Sequence, residues 1–220
     1  MVSTRGEKAG LILSYVLLAG LLGLRPVDRA AWALENTAPF LEGLVVVLYW
    51  RWRGVELTRL SCWLIWCHLV VQVIGAHYTY EKMPLFEWLQ EVFHWSRNHY
   101  DRLAHFAVGF CLYVPVREIS LRRTPLRSSR AWTAFFALSV IAALAGLWEV
   151  WEWLAAESVR PDLGAAYLGL QGDPWDAQKD ILLAPLGAVA ASAVFTRLHD
   201  RALAGLPASA WRYPLVSATS

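Results

Sequence analysis

The sequence predicts an all-α, multi-pass transmembrane helical bundle of about six spans. Three observations predict it. Of its 220 residues 57% are hydrophobic, and 13 are Trp. The mean hydropathy is positive, at +0.37. The apolar residues gather into runs approaching the roughly 20 residues that a helix needs to cross hydrocarbon. A soluble core of this size would need less apolar material, so the bilayer is the expected solvent. A net charge of +2 without a continuous basic face gives no case for nucleic-acid binding. Cys62, Cys67 and Cys111 lie in apolar stretches without the C-x-x-C spacing of zinc or redox sites, and read as small buried hydrophobes.

The first run, 9–24, follows Arg5 and Lys8 as in a signal peptide. No small-x-small cleavage site comes promptly after Leu24, so it reads as an uncleaved helix. The second, 36–50, is the weakest because Glu42 interrupts it. The third, 60–78, and the fifth, 131–154, are the surest: residues 60–80 and 131–148 contain no Asp, Glu, Lys or Arg. The fourth, 101–118, and the sixth, 176–197, are short between their flanking charges, Leu103 to Val116 and Ile181 to Thr196. To cross, each must draw neighbouring charges toward the membrane boundary. Between the third and fourth spans, Leu85, Trp88, Leu89, Val92 and Phe93 recur at helical spacing opposite Glu87, Gln90 and Glu91. That stretch is expected to be a short interfacial helix anchored by Trp88 and Trp95, or a packed loop helix. Residues 1–200 form one integral membrane domain on this reading, and 201–220 a cytoplasmic tail.

Basic residues set the direction. The N-terminus, the loops at 51–59 and 117–130 and the C-terminal tail hold 13 of the 20 Lys and Arg. Positive loops stay in the cytoplasm, so both termini are placed there and the segments near 25–35, 77–102 and 157–179 outside. Arg122, Arg123, Arg127 and Arg130 read as topology determinants, with anionic headgroups as a lesser role.

Polar residues then fall toward the outer ends. Asp101 and His105, and Asp176 and Asp180, are i,i+4 pairs; Glu149 and Glu152 share a face at i,i+3. Glu42, Gln72 and His77 lie at similar depth. Ionisable groups within spans cost a few kcal/mol and usually face a protein interior or water, so one shared outward polar cavity is expected. Local explanations compete. Asn98 and Asp173 are expected N-caps with Asp101 and Asp176 offsetting the helix dipoles, Pro174 suits a first helical position, and carboxylates beside Trp148, Trp151 and Trp153 can snorkel.

Asp101, His105, Glu149, Asp176 and Asp180 are oxygen donors with one imidazole, a set that suits a divalent metal, Mg, Mn or Zn, if they meet. No H-E-x-x-H, C-x-x-C or glycine-rich phosphate motif accompanies them. The alternative is an ion-paired network in which Arg102 and Lys179 neutralise the acids. Three functional classes stay open: an enzyme in which Asp101, His105, Glu149, Glu152 and Asp180 are the catalytic candidates; a small proton- or cation-coupled transporter; and a non-catalytic accessory protein with a structural network. Few polar residues, His68 and Tyr113 among them, continue toward the cytoplasmic side, which disfavours a continuous pathway.

His77-Tyr78-Thr79-Tyr80, Asn98-His99-Tyr100-Asp101-Arg102-Leu103-Ala104-His105-Phe106, and Gln171-Gly172-Asp173 followed by Trp175-Asp176 and Gln178 resemble the YjdF family of bacterial inner-membrane proteins over roughly residues 10–200. The resemblance implies a multi-pass inner-membrane protein and no particular reaction. A looser similarity reaches the VanZ-like proteins through Asp101, Arg102, His105, Phe106 and Glu149. Where that template has Glu-x-x-Gln this chain has Glu149 and Glu152, and its later Asp-x3-Asn-x2-Gly becomes Asp180, Ala184 and Gly187. This likeness implies an envelope role at the outer face, on a lipid-linked ligand, with the bilayer itself as partner.

Overall fold

The computed structural model describes residues 2–53, 56–158 and 171–212. Part of the expected outer segment 157–179, and the end of the tail, fall outside these residues. The chain forms α1 (Arg5–Leu24), α2 (Arg29–Glu35), α3 (Thr37–Arg53), α4 (Arg59–His77), α5 (Pro84–Phe93), α6 (Tyr100–Arg123), α7 (Arg130–Ser158) and α8 (Asp176–Ala204). Short 3-10 turns follow at Pro125–Ser128 and Ala208–Ala210. The described residues contain no sheet, only an isolated bridge between Val2 and Thr58. The all-α multi-pass bundle is what the apolar runs predict.

Local chemistry starts these helices. Thr4 caps α1 by accepting from the Glu7 amide at 3.1 Å, and Asp28 caps α2 by accepting from Ala30 and Ala31 at 2.8 Å. The expected caps at the site end need correction. α6 begins at Tyr100 after His99, and α8 at Asp176 after Trp175. Asn98 instead accepts from the Tyr100 amide at 3.0 Å and Asp173 from Trp175 at 3.1 Å, bonds to the second residue on, so both close turns ahead of the helices. Pro174 therefore lies in the turn and not at the first helical position.

Among the described residues, five stretches are long and apolar enough to cross a bilayer: Arg5–Leu24, Arg29–Trp52, Arg59–His77, Arg130–Ser158 and Asp176–Ala204. The second combines α2 and α3, with the fully buried Asn36 at their junction holding the Trp32 carbonyl at 2.8 Å. α6 is too polar for that group, yet its 24 residues are long enough, at 1.5 Å each, to span hydrocarbon. It is the helix most enclosed by others, packed against α4, α7 and α8. Both α6 and α8 run past the expected boundaries, to Arg123 and Ala204.

α6 and α8 touch backbone to backbone. A methyl group at Gly109 would overlap the Ala184 carbonyl, and one at Gly187 the Phe106 carbonyl. Ala184, Ala188 and Ala191 continue the small-residue seam, all fully buried. Outward, α1, α7 and α8 present Leu13, Leu17, Phe135, Leu147, Val189 and Val194, the surface a helix shows to lipid. α5 is amphipathic as predicted, with Leu85, Trp88, Val92 and Phe93 all exposed and His94 in the left-handed conformation ending it.

The helices alternate between two ends. At one, the Ser3 amide donates to Leu57 and the Thr58 amide to Glu118. At the other, His77 Nδ1 lies 2.8 Å from the Leu22 carbonyl, and the Asn98 amide donates to Gln171 at 2.8 Å. α5 and the polar cluster described next belong to this second end.

Candidate functional site

The i,i+4 spacing on α6 puts Asp101 and His105 on one face, with His105 Nε2 3.6 Å from Asp101 Oδ1. α7 brings Glu149 Oε1 to 3.4 Å from the same nitrogen. α8 contributes Asp180: ligand-type atoms of Asp101, His105 and Asp180 all lie within 4.8 Å of one another. His105 is 5% exposed and Asp180 2%. His105 Nδ1, Glu149 Oε1 and Asp180 Oδ1 are buried without a hydrogen-bond partner.

Asp176 is also buried, but its surroundings differ. Arg97 pairs with it closely, and Arg102 Nη2 lies 3.0 Å from Oδ1. Arg102 also reaches Asp173 at 2.6 Å, as does Lys179 at 2.5 Å. The hydrogen bonds from Lys179, the Trp175 amide and Arg102 hold the Asp173 carboxyl down at about 2. Asp173 and Asp176 thus form an ion-paired belt over the bundle's end, in which Arg102 and Lys179 neutralise acids as the alternative expectation has it. Asp101 meets this belt at Arg97, 3.6 Å away.

Glu152 of α7 faces a cavity rather than the belt. With Asp101 and His105 it lines a cavity of about 1010 Å³ between α1, α3, α4, α6 and α7. Gln72 and Tyr80 also line it, joined by a 2.7 Å bond from the Tyr80 hydroxyl to Gln72 Oε1. That bond depends on a tight turn after α4, in which Thr79 and Tyr80 both adopt positive φ and the Tyr80 ring folds over Gly75. Farther along the same wall Glu42 meets His68 Nε2 at 2.9 Å, and Lys8 stands at the far end. The remaining walls are almost entirely apolar, from residues such as Leu11, Val46, Leu69 and Val108. His77, expected in the polar group, instead lies against the α1 backbone at Leu22. Tyr113 is packed into the core.

Two buried carboxylates escaped the sequence reading. Glu35 of α2, 5% exposed, sits close enough to Asp101 and Glu152 to interact with both electrostatically. Nothing in the segment 25–35 distinguishes it from a loop acid. Glu118, fully buried at the opposite end, accepts from the Thr58 amide at 2.9 Å, the Thr58 hydroxyl at 2.7 Å and the Ser61 hydroxyl at 2.6 Å. It pairs with Arg122 and lies 3.5 Å from His199 Nε2. Its i,i+4 relation to Arg122 was the available signal. Arg122, expected as a surface topology determinant, is buried in this pair and also donates to Glu56 and Ala210 carbonyls. Among the cysteines, Cys111 is buried but Cys67 is exposed on α4.

Long apolar helices, lipid-type outer surfaces and a polar interior define an α-helical, multi-pass membrane protein. The chain belongs to the family described as predicted membrane protein DUF2238, whose model matches residues 8–201. It is 34% identical over 191 residues to the inner membrane protein YjdF of Escherichia coli strain K12, covering 87% of this chain and 90% of that relative. No solved structure matches it significantly.

Proposed function

We propose that this protein resides in the bacterial inner membrane with both termini in the cytoplasm, and binds an amphiphilic, lipid-linked envelope molecule. The apolar part of the ligand occupies the cavity, and its polar head meets Asp101, His105 and Glu152 at the outward end. One observation carries the reading: a half-open space of about 1010 Å³ with mostly apolar walls and with Asp101, His105 and Glu152 together at one end. Ligand sites are commonly about 300–1,000 Å³. An apolar chamber in a bilayer stays dry, so a hydrocarbon chain fills it more favourably than water. The inner-membrane name of the E. coli relative supports the compartment, and the bias of basic residues supports the orientation. The acids and imidazole at the polar end are groups able to hold or move a proton on a bound head group, which keeps a catalytic role within this reading.

Gly43 of α3 lines the chamber with open space around it, only Leu69 Cδ1 coming within 3.9 Å of a side chain placed there. Gly43→Phe starts from a Cβ position with no closer neighbour and puts a ring into the chamber. Displacing two or more ligand methylenes at about 0.8 kcal/mol each weakens binding about tenfold or more. The expected outcome is a co-purifying lipid, seen by native mass spectrometry of the wild type in nanodiscs, that falls by this factor in the variant. A wild type carrying nothing beyond bulk lipid, or a variant retaining as much, would end the reading.

A further inference from the structure

Asp101, His105 and Asp180 come from two helices whose backbones are locked together at Gly109 and Gly187. Their relative positions are therefore held by the α6–α8 seam, independent of the loops. Two carboxylates and one imidazole converge there, with Glu149 of α7 3.4 Å from the imidazole. Arg97 is paired with Asp176 and, at 3.6 Å, with Asp101, and Arg102 with Asp173 and Asp176, whereas among the described residues no Lys or Arg lies within ion-pair distance of Asp180 or Glu149. Asp180 is only 2% exposed, and its Oδ1 has no hydrogen-bond partner. An isolated buried carboxylate is costly, and buried charges are normally paired or bound to metal.

We infer that Asp101, His105 and Asp180, with Glu149 as a fourth donor, form a binding site for a divalent first-row metal ion such as Zn²⁺ or Mn²⁺. One nitrogen among oxygens fits these ions better than Ca²⁺ or Mg²⁺, which take oxygen shells, and the lack of thiolate at the site sets it apart from structural zinc centres. The dimensions agree. With bonds of about 2.0–2.2 Å, neighbouring donors on a tetrahedral ion stand about 3.3–3.6 Å apart and opposite donors on an octahedral ion about 4.0–4.4 Å. The donor atoms of the three residues, within 4.8 Å of one another, therefore close by about 1.5 Å or less on binding. Rotation of the side chains about their terminal bonds supplies this, since those torsions are broad. The site does not depend on a lipid occupying the cavity.

The test uses the full chain in nanodiscs, stripped with chelator, then titrated with ZnCl₂ or MnCl₂ alone and analysed by calorimetry and elemental analysis. About one ion per chain is expected for the wild type, with Asp180→Asn and His105→Gln each weakening binding at least tenfold. Asp173→Asn, in the ion-paired belt, should bind as the wild type does. No saturable binding of either ion to the wild type, or binding to Asp180→Asn as tight as to wild type, would overturn the proposal. If the variants do not give monodisperse protein, X-ray absorption on the metal-loaded wild type decides. A shell of oxygens with one imidazole supports the site, and sulfur ligands or oxygen alone overturn it. Lipid retention measured on the same chelated sample is a separate readout, so either proposal can fail while the other stands.

Discussion

Glu118 and Asp180 are both acids buried inside helices, and they differ in what surrounds them. Glu118 accepts from a backbone amide and two hydroxyls and is paired with Arg122, so its charge is satisfied on every side. Thr58 and Ser61 belong to the start of α4, so this one carboxylate ties α6 to α4, and through His199 to α8. Removing one member of a buried charged pair usually costs about 3–5 kcal/mol, because the partner stays buried and unpaired. Glu118→Ala is expected to lower stability by that amount, and Glu118→Gln by less, because it keeps one acceptor for Thr58. Thermal unfolding followed by size-exclusion fluorescence measures this; a Glu118→Ala protein as stable as wild type would mean that the network carries no net stabilisation. At the other end Asp176 has comparable pairing through Arg97 and Arg102. Asp180 and Glu149 lack such partners, which is why they and not Asp176 anchor the proposed metal site.

At the scale of elements, α6 and α8 are positioned by what they lack. Gly109 and Gly187 let the two backbones approach until carbonyl and Cα meet, a contact that no larger residue permits. Inserting volume into a closed seam costs about 1–3 kcal/mol or more. Gly109→Leu should therefore separate the helices and spread Asp101, His105 and Asp180 apart, lowering the melting temperature and abolishing a monodisperse peak. Gly146→Ala is the contrasting case: nothing lies within 4 Å of a methyl at Gly146, and Ala is the better helix former. It should leave stability unchanged or raise it by up to about 1 kcal/mol. The surest apolar runs, 60–78 and 131–154, became α4 and α7 because their signal is local and strong. The amphipathic stretch from Pro84 became α5 for the same reason. α6 was harder to read at its ends. Asp101 and Arg102 at one end, and Arg117 and Glu118 at the other, make it look shorter than its 24 residues, because those charges are met by Arg97, Asp173, Asp200 and the start of α4 and not by water. That compensation is non-local, and spacing along one helix does not reveal it. The i,i+4 pair Asp101 and His105 was legible; its meeting with Glu149 and Asp180 across two more helices became visible only in three dimensions.

For the whole molecule, the alternation of helix ends fixes which segments share a side, while the distribution of charge argues for which side faces the cytoplasm. The N-terminal residues Val2 and Ser3, the segment at Leu57 and Thr58, the start of α7 beyond the 3-10 turn, and the end of α8 meet at one end, joined through Glu118, Arg122 and His199. The connections at this end and the two termini carry most of the Lys and Arg. Part of that positive charge is structural: Arg122 is buried in its pair with Glu118, and Arg117 donates to Asp200 at 2.6 Å. Arg51 and Arg201 are exposed at the same end, and Arg59, also exposed, pairs with Glu7 at 2.5 Å; exposed positive charge at this end is what the proposed orientation calls for. A green fluorescent protein fused after the last residue should fluoresce, because it folds in the cytoplasm, and alkaline phosphatase fused after Trp95, just beyond α5, should be active. The opposite pattern would place the cavity's polar end and the Asp101–His105–Asp180 cluster at the cytoplasmic face. It would leave the metal chemistry of those residues intact but remove the argument for an envelope ligand, since the head group would then be drawn from the inner leaflet.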